Sequence, residues 1–307
     1  MMNMKVLWVR DGKIGHEKQV NVLLEELSKS FKLEISEVKI CNSNFFTNPL
    51  KDISKNHYDL IIGAGHKSYS KLLKIRKNQK INTKTVAVLS PTFNKNKFDI
   101  ICAPNHDSHK LSNLKNVIYF EGALAKVSTK EVDENIVMIA IGGKSKHYKF
   151  DNDHILSQIN YFLSVHSNKT CYIFNSRRTP KTFNQKIESL TNENKNIVFN
   201  DLDTNSVSIE DVMHNASAKL ISRDSINMIF ESLSSKGKTY IVDMESLSAK
   251  NKIEECLTRL INNRQIGYIE CRKIIEGLDK MQLIKQNPHH EVFAEVEKVA
   301  YKIKKIL

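Results

Sequence analysis

The sequence predicts an α/β protein with two Rossmann-like domains that face a cleft. Short apolar segments alternate with segments of helical periodicity along the 307 residues, a pattern typical of parallel, doubly wound sheets. Residues 124–135 lose apolar content and indicate a linker, after which the alternation starts again. We therefore expect a first domain at 1–126, a second at 135–285, and a terminal helix within 289–307 that packs back on the first domain.

The first domain is expected to alternate strands with helices. Each predicted strand is a short apolar run, and each predicted helix has apolar residues three or four positions apart. A polar stretch at 42–56 indicates an irregular excursion. The predicted strands are 5–9, 31–38, 58–62, 83–89 and 98–103, and the predicted helices are 17–30 and 69–76.

The second domain repeats these signals and ends in a helical region. Residues 219–242 predict a strand, a tight turn, a helix that stops at Gly237, and a second strand. The other predicted strands are 136–141, 170–174 and 197–199, and the other predicted helices are 153–164, 182–190, 207–214, 248–262, 268–283 and 291–306.

The polar side of the helix within 219–242 carries a candidate nucleotide site. Asp224 or Ser225 can cap its first turn, and a helix N-terminus after a strand is a natural site for phosphate. Glu231 lies farther along the polar flank, where a carboxylate can accept hydrogen bonds from a ribose diol. A βαβ unit with a solvated glutamate is the alternative interpretation.

Two further strand ends of the second domain offer groups for phosphate. Gly142, Gly143 and Ser145 lie in a glycine-rich turn whose backbone N–H groups could cradle a diphosphate. Arg177 and Arg178 close the next strand, and an arginine fork binds phosphate bidentately. The alternatives are glycines that serve only backbone geometry and arginines that lie in solvent.

Several familiar motifs are incomplete. A phosphate-loop ATPase would need glycine at position 138, where this chain has Met138, and the dinucleotide fingerprint that starts at Gly63 has Ser68 in place of its third glycine. Asp201 and Asp203 imitate a metal-binding DxD motif but precede a helix, where aspartate is a common cap. The cysteines show no CxxC spacing. We therefore expect neither a metal nor a cofactor.

The first domain offers candidate acid/base groups. Asp11, His16 and Glu17 share one loop and helix start, and His66 ends the third strand, so all would point toward the same edge of the sheet. Asp11 is the first choice for the catalytic base because Gly12 lets the backbone turn sharply to present it, and His16 is the second. Alternatively, Asp11 or Glu17 only favours the helix N-terminus electrostatically.

Composition limits the classes of partner and the location that we expect for this protein. The net charge of +13 admits nucleic acid, an anionic membrane or an anionic substrate, but the lysines are dispersed and could equally reflect an AT-rich genome. We expect no nucleic-acid partner and take acidic lipid as the best functional use of the charge. The apolar N-terminal run is too short for a signal peptide, and no apolar run reaches the length of a membrane span. A cytoplasmic protein is expected, with peripheral attachment to the inner face of the membrane as an option.

Five motifs together carry a resemblance to a known family. Their order over residues 5–245 is similar to that of the Elm-type, mitochondrial-fission ELM-like glycosyltransferase family of the GT-B superfamily. The motifs are Trp8-x-x-Asp11-Gly12-x-x-Gly15-His16-x-x-Gln19, Gly63-Ala64-Gly65-His66, Gly142-Gly143-x-Ser145, Ser176-Arg177-Arg178-Thr179-Pro180, and Asp224-Ser225-x-x-Met228-x-x-Glu231 followed by Gly237-Lys238.

This resemblance implies a GT-B-like enzyme that transfers sugar from a nucleotide-sugar to an acceptor such as a cell-envelope glycolipid, without a bound metal. The first domain would bind the acceptor, at a cleft lined by Gly12, Gly15, Gly65 and His66. The second would bind the donor through Gly142, Gly143, Ser145, Arg177, Arg178, Asp224, Ser225 and Glu231. Two alternatives stay open: a nucleotide-sugar epimerase of the same fold, and a non-catalytic adaptor at membranes.

Overall fold

The computed structural model describes residues 1–40, 56–80, 82–204, 207–247, 252–275, 278–288 and 291–307, with no side-chain description for 273–275, 278 and 279. The chain divides into unit 1, Met1–Lys126 with Ala294–Leu307, and unit 2, Val127–Phe293. This division falls inside the segment 124–135 that sequence indicates as a linker. Apart from residue 56, the excursion predicted at 42–56 lies outside the described residues.

Unit 1 is built on a six-stranded parallel sheet with the order β2-β1-β3-β4-β5-β6. All five residues of both β3 and β5 are buried, as expected for apolar strands that are covered on both faces. The strands are β1 Met2–Arg10, β2 Phe31–Lys39, β3 Leu60–Ala64, β4 Lys84–Val88, β5 Ile100–Pro104 and β6 Val117–Phe120; the helices that connect them include α1 Ile14–Ser28 and α2 His66–Arg76.

Unit 2 has a seven-stranded sheet with the order β13-β12-β11-β10-β7-β8-β9, parallel except that β13 runs antiparallel to β12. The strands are β7 Asp133–Ala140, β8 Thr170–Phe174, β9 Ile197–Asn200, β10 Ala216–Ile221, β11 Lys238–Ile241, β12 Gly267–Ile275 and β13 Leu278–Ile284. The helices are α3 Asn152–Val165, α4 Lys181–Glu193, α5 Ile209–Asn215, α6 Ile226–Leu233 and α7 Lys252–Asn262.

Strand order places one switch point in each sheet. In unit 1 the chain leaves β1 for β2 and later returns to the other side of β1 as β3. In unit 2 it leaves β7 for β8 and β9, then returns beside β7 as β10. Ligands of open α/β sheets bind beyond the carboxyl ends of the strands at such points.

The helix predicted at 268–283 is wrong, because this segment forms the antiparallel hairpin of β12 and β13. Its apolar residues fit both the helical and the strand periodicity. Strand pairing brings Ile269 opposite Leu283 and Cys271 opposite Met281. Gly267 joins the sheet beside Tyr240, where an added Cβ would lie only 2.5 Å from the Tyr240 ring. The open edge of β11 therefore decides the structure, overriding an ambiguous local pattern.

The last helix, α8 Glu295–Lys304, belongs to unit 1. Val296, Val299, Ala300 and Ile303 are buried and recur at helical spacing, so they form one apolar face. The Glu295 carboxylate also accepts a hydrogen bond of 2.8 Å from the backbone N–H of the residue that follows β6. The helix starts four residues later than predicted.

Within the described part of the chain, no helix combines the length and the apolar character that crossing a membrane requires.

Candidate functional site

Asp11 and His16 form a hydrogen-bonded pair directly after β1. The Asp11 side chain is only 2% exposed, and its Oδ2 lies 2.8 Å from Nδ1 of His16. Its other oxygen accepts a hydrogen bond of 3.0 Å from the backbone N–H of Lys13. His16 lies in the first turn of α1 and is partly exposed. A buried carboxylate thus orients the imidazole and leaves Nε2 as the ring nitrogen for other partners.

Gly65 lets β3 end against this pair. Its φ is +85°, and an added Cβ would lie 2.4 Å from Asp11 Oδ2 and 2.5 Å from His16 Nδ1. Only glycine permits both this conformation and this approach. His66, the exposed first residue of α2, follows at once, and its Nδ1 is 3.4 Å from Thr92 Oγ1. The structure thus brings four of the predicted residues to the switch point of unit 1.

Glu17 closes the loop between β1 and α1. Its carboxylate accepts 2.5 Å and 3.0 Å hydrogen bonds from Arg10 Nη2 and from the backbone N–H of Gly12, which has a φ of +82°. The contact with Arg10 lowers the pKa of Glu17. The Gly15 carbonyl accepts a hydrogen bond of 3.2 Å from Gln19. These contacts give Glu17 a positioning role in the loop.

Gly142 and Gly143 allow three loops of unit 2 to meet. The N–H of Gly142 donates to Ser222 Oγ at 2.7 Å, and the N–H of Gly143 donates to Asp224 Oδ2 at 3.1 Å. An added Cβ at position 143 would lie 2.1 Å from the Arg178 carbonyl group. The turn after β7 therefore packs against the backbone of the loop after β8 and against side chains of the loop after β10.

Asp224 is buried at the centre of this arrangement. Its carboxylate accepts a hydrogen bond of 2.8 Å from Ser222 Oγ and pairs with Arg178 Nη2 at 2.8 Å. The Arg178 side chain remains 46% exposed. The predicted cap of α6 is wrong: Ser225 occupies the N-cap position without a side-chain cap bond, and the Asp224 carboxylate faces Gly143 and Arg178 instead.

The other predicted donor residues lie around this centre. Ser145 Oγ accepts 3.2 Å hydrogen bonds from the N–H groups of His147 and Tyr148, so its hydroxyl closes the glycine-rich turn. Arg177 is exposed and lines a hollow of about 500 Å³ between the ends of β8 and β9. Glu231 is partly exposed on the flank of α6.

Sequence reasoning missed Ser222 and gave no role to Ser176 and Thr179 of the arginine motif, although all three fix the glycine-rich turn. Ser176 Oγ donates to the Gly142 carbonyl at 2.5 Å, and the Thr179 hydroxyl donates to the same oxygen. The available signal was the presence of serine or threonine beside Arg177-Arg178 and directly before Arg223-Asp224. Asp201, by contrast, accepts hydrogen bonds from the Asn175 and Asn184 amides, as a structural residue would.

Possible metal ligands occur elsewhere in unit 2. Among the described residues, His154, Asp243 and Cys271 place one ligand atom each within 4.8 Å of the others. Arg223 Nη1 lies 3.6 Å from Asp243 Oδ1, so a protein cation already neighbours this carboxylate.

Three solved structures illustrate what the fold is similar to. A UDP-GlcNAc 2-epimerase from Methanocaldococcus jannaschii is 12% identical, with 98% of this chain and 100% of that chain covered and a TM-score of 0.52. MnaA from S. aureus, solved with UDP, is 11% identical, with 98% and 96% covered and a TM-score of 0.51. MurG from Acinetobacter baumannii is 9% identical, with 85% and 84% covered and a TM-score of 0.48. The strand orders of both units and the two similarities with TM-scores above 0.5 confirm the predicted α/β fold with two Rossmann-like domains of the GT-B type.

Sequence comparison identifies the family. No curated protein sequence matches the chain significantly. The family model described as mitochondrial fission ELM1 matches residues 14–307, which include nearly all of both units. The chain therefore belongs to the mitochondrial fission ELM1 family.

Proposed function

We propose that this protein is a glycosyltransferase that moves a sugar from a nucleotide diphosphate-sugar to a hydroxyl group of a cell-envelope glycolipid. The observation that carries the proposal is the pair of Asp11 and His16 at the switch point of unit 1. A buried carboxylate that holds Nδ1 of a partly exposed imidazole prepares the ring to take a proton from a bound hydroxyl.

In this reaction the acceptor oxygen attacks the anomeric carbon of the sugar. The proton of the acceptor passes to His16 Nε2, and the bond between the anomeric carbon and the diphosphate oxygen breaks. The nucleoside diphosphate leaves with the electron pair of that bond. This assignment makes His16 the base and Asp11 its positioning residue, the reverse of the order that sequence favours.

The donor would bind to unit 2. Arg178 offers a partly exposed guanidinium, and the first N–H of α6 with a helical partner is that of Ile229, bonded to the Ser225 carbonyl at 3.0 Å. The N–H groups of residues 226–228 come before this first helical hydrogen bond and form the positive end of the helix dipole. Both features favour the binding of a diphosphate group. The UDP in the MnaA structure makes UDP the first nucleotide to test.

Two exposed apolar residues lie near the proposed base and support an amphiphilic acceptor. Ile14 is 54% exposed two residues before His16, and Phe93 is 51% exposed beside Thr92, which contacts His66. The net charge of +13 favours an acceptor with anionic character or one embedded in an anionic surface. An apolar chain and a hydroxylated headgroup therefore suit this edge of unit 1.

The proposal predicts transfer to a soluble amphiphile. Radiolabelled UDP-N-acetylglucosamine, with GDP- and CDP-sugars in parallel, is incubated with octyl β-glucoside in EDTA, and products are separated by chromatography. We expect a labelled octyl glycoside and an equal amount of free nucleotide. If no nucleotide-sugar yields a glycoside in EDTA or in magnesium, the proposal is overturned.

An epimerase is the second candidate, since the similar structure from Methanocaldococcus jannaschii, with a TM-score of 0.52, is that of a UDP-GlcNAc 2-epimerase. Such an enzyme would invert C2 of the sugar and would need no acceptor. Proton NMR of the donor after incubation without octyl β-glucoside separates the two functions. Accumulation of the C2 epimer supports the epimerase, whereas an unchanged donor together with transfer supports the glycosyltransferase.

Glu231→Ala is expected to weaken UDP binding. Loss of charge-assisted hydrogen bonds to the ribose diol should cost about 1.5–3 kcal/mol, or about 10- to 150-fold in Kd. The free energy of unfolding should change by less than about 0.5 kcal/mol because the side chain is partly exposed on a helix. Calorimetric titration with UDP in EDTA measures the affinity, and Glu255→Ala on α7 is the matched control. Parental affinity in Glu231→Ala would remove Glu231 from the proposed nucleotide site.

A further inference from the structure

Three side chains of unit 2 bring one potential metal ligand each to the same place. His154 lies in the first turn of α3, Asp243 follows the end of β11, and Cys271 lies on β12. One ligand atom of each residue lies within 4.8 Å of the ligand atoms of the other two, and His154 Nε2 is 3.6 Å from Asp243 Oδ2. Three elements that are far apart in the sequence therefore converge on a nitrogen, an oxygen and a sulfur.

The spacing and the chemistry of these ligand atoms suit a zinc ion. At zinc–ligand distances of about 2.0 Å for nitrogen and oxygen and about 2.3 Å for sulfur, the ligands of a tetrahedral site lie about 3.3–3.6 Å from one another. The nitrogen of His154 and the oxygen of Asp243 already have this spacing. A thiolate and an imidazole also favour zinc over magnesium and calcium, which prefer oxygen ligands.

The surrounding structure holds two of the ligands in place. Gln158, one turn after His154 on α3, is fully buried, and its side chain bonds the backbone of Asp243 twice: Nε2 donates to the carbonyl at 2.9 Å, and Oε1 accepts from the N–H at 2.7 Å. The N–H of His154 donates to the capping Asp151 carboxylate at 3.1 Å. The side chains of His154 and Asp243 are nevertheless 33% and 41% exposed, so an ion can reach these positioned ligands from solvent.

The charges around the three residues can accommodate a dication. Arg223 Nη1 lies 3.6 Å from Asp243 Oδ1, and Arg223 Nη2 lies 3.7 Å from Glu254 Oε1, both longer than a hydrogen bond. Arg223 therefore neighbours the Asp243 oxygen that does not face His154. Once the Cys271 thiol binds as a thiolate, the positive charges of zinc and Arg223 balance this group and the two carboxylates.

We propose that His154, Asp243 and Cys271 form a zinc site, in which water occupies the fourth tetrahedral position. Binding releases the thiol proton to solvent and ties the hairpin of β12 and β13 to α3 and to the end of β11, so it stabilises unit 2. None of the three ligands is among the groups assigned to the donor or the acceptor. The site is therefore independent of the proposed glycosyl transfer, and its test does not use that activity.

The test is zinc binding by the full chain after treatment with EDTA and a reductant. We expect calorimetry to show a single high-affinity ion per chain, the Tm to rise with zinc, and magnesium to bind far more weakly. Cobalt in place of zinc should give the absorption band of a thiolate ligand. Cys271→Ser and His154→Ala should each bind zinc more than about 10-fold more weakly, since even residues behind metal ligands change affinity by about 10- to 100-fold.

His109→Ala, at an exposed histidine of unit 1, is the matched control and should bind zinc like the parent. Parental zinc affinity in both Cys271→Ser and His154→Ala would overturn the inference, as would equal affinity of the parent for magnesium. If either variant does not fold, the cobalt spectrum of the parent decides, and the absence of a thiolate band overturns the inference.

Discussion

Replacing His16 with alanine is expected to slow sugar transfer by about 10²–10⁴-fold, the usual effect of removing a general base. The affinity for UDP should remain at the parental value, because UDP is proposed to bind to unit 2. Turnover is measured with octyl β-glucoside, and binding is measured by calorimetry on the same preparations. His57→Ala is a matched control, since Nε2 of His57 also faces a carboxylate, 3.7 Å from Asp59 Oδ1, at the opposite end of β3.

Asp11→Asn separates the base from its positioning residue. Asparagine has the shape of Asp11 but cannot hold the imidazole through a charged carboxylate, so turnover should fall while UDP affinity stays constant. Parental turnover in His16→Ala, together with a large loss of turnover in Asp11→Asn, would return the role of base to Asp11. Parental turnover in both variants would remove this loop from the mechanism.

Replacing Lys219 with alanine is expected to lower the free energy of unfolding of unit 2 by about 3–5 kcal/mol. Lys219 is fully buried in β10, and its Nζ donates hydrogen bonds of 2.7–2.8 Å to the Ser232 carbonyl, the Ser235 hydroxyl and the Lys236 carbonyl. The substitution removes these three hydrogen bonds and opens a cavity in the core of unit 2. Urea unfolding followed by circular dichroism measures the loss.

The same residue predicts a pH dependence. Burial lowers the pKa of Lys219 from 10.5 to about 7. Between these two values the unfolded chain binds more protons at this residue, so its contribution to stability rises with pH from about 7 to 10.5 and is lost as pH falls toward 7.

Lys219→Met fills a similar volume without a titrating group and serves as the control. Relative to this variant, the parent should gain up to about 1.4 kcal/mol of stability per pH unit across that window. Equal pH slopes in the two proteins would show that Lys219 does not titrate there.

Much of the fold could be predicted because local signals agree with it. Buried parallel strands are short apolar runs, and the helices between them carry apolar stripes, so most elements lie within a few residues of their predicted bounds. The hairpin of β12 and β13 could not be predicted in this way. Its apolar residues fit both a helix and a strand, and only the free edge of β11 selects the strand.

The candidate site could likewise be predicted only in part. Residue types and their places after strands suffice to select Asp11, His16, Gly65, Gly142 and Arg178, because ligand groups gather at the carboxyl ends of parallel strands. Their roles depend on contacts that local sequence does not encode. Gly142 and Ser222 meet although 80 residues separate them, and Asp224 meets the loop after β8 in the same way.

The sequence by itself therefore determines the alternation of strands and helices and the residue types at the strand ends. Tertiary structure alone decides that Asp11 is buried behind His16, that Asp224 clamps a glycine-rich turn, and that the three ligands of the proposed zinc site meet in unit 2. The physical reason is that burial and hydrogen-bond partners are set by strand order and register, which join segments far apart in the chain.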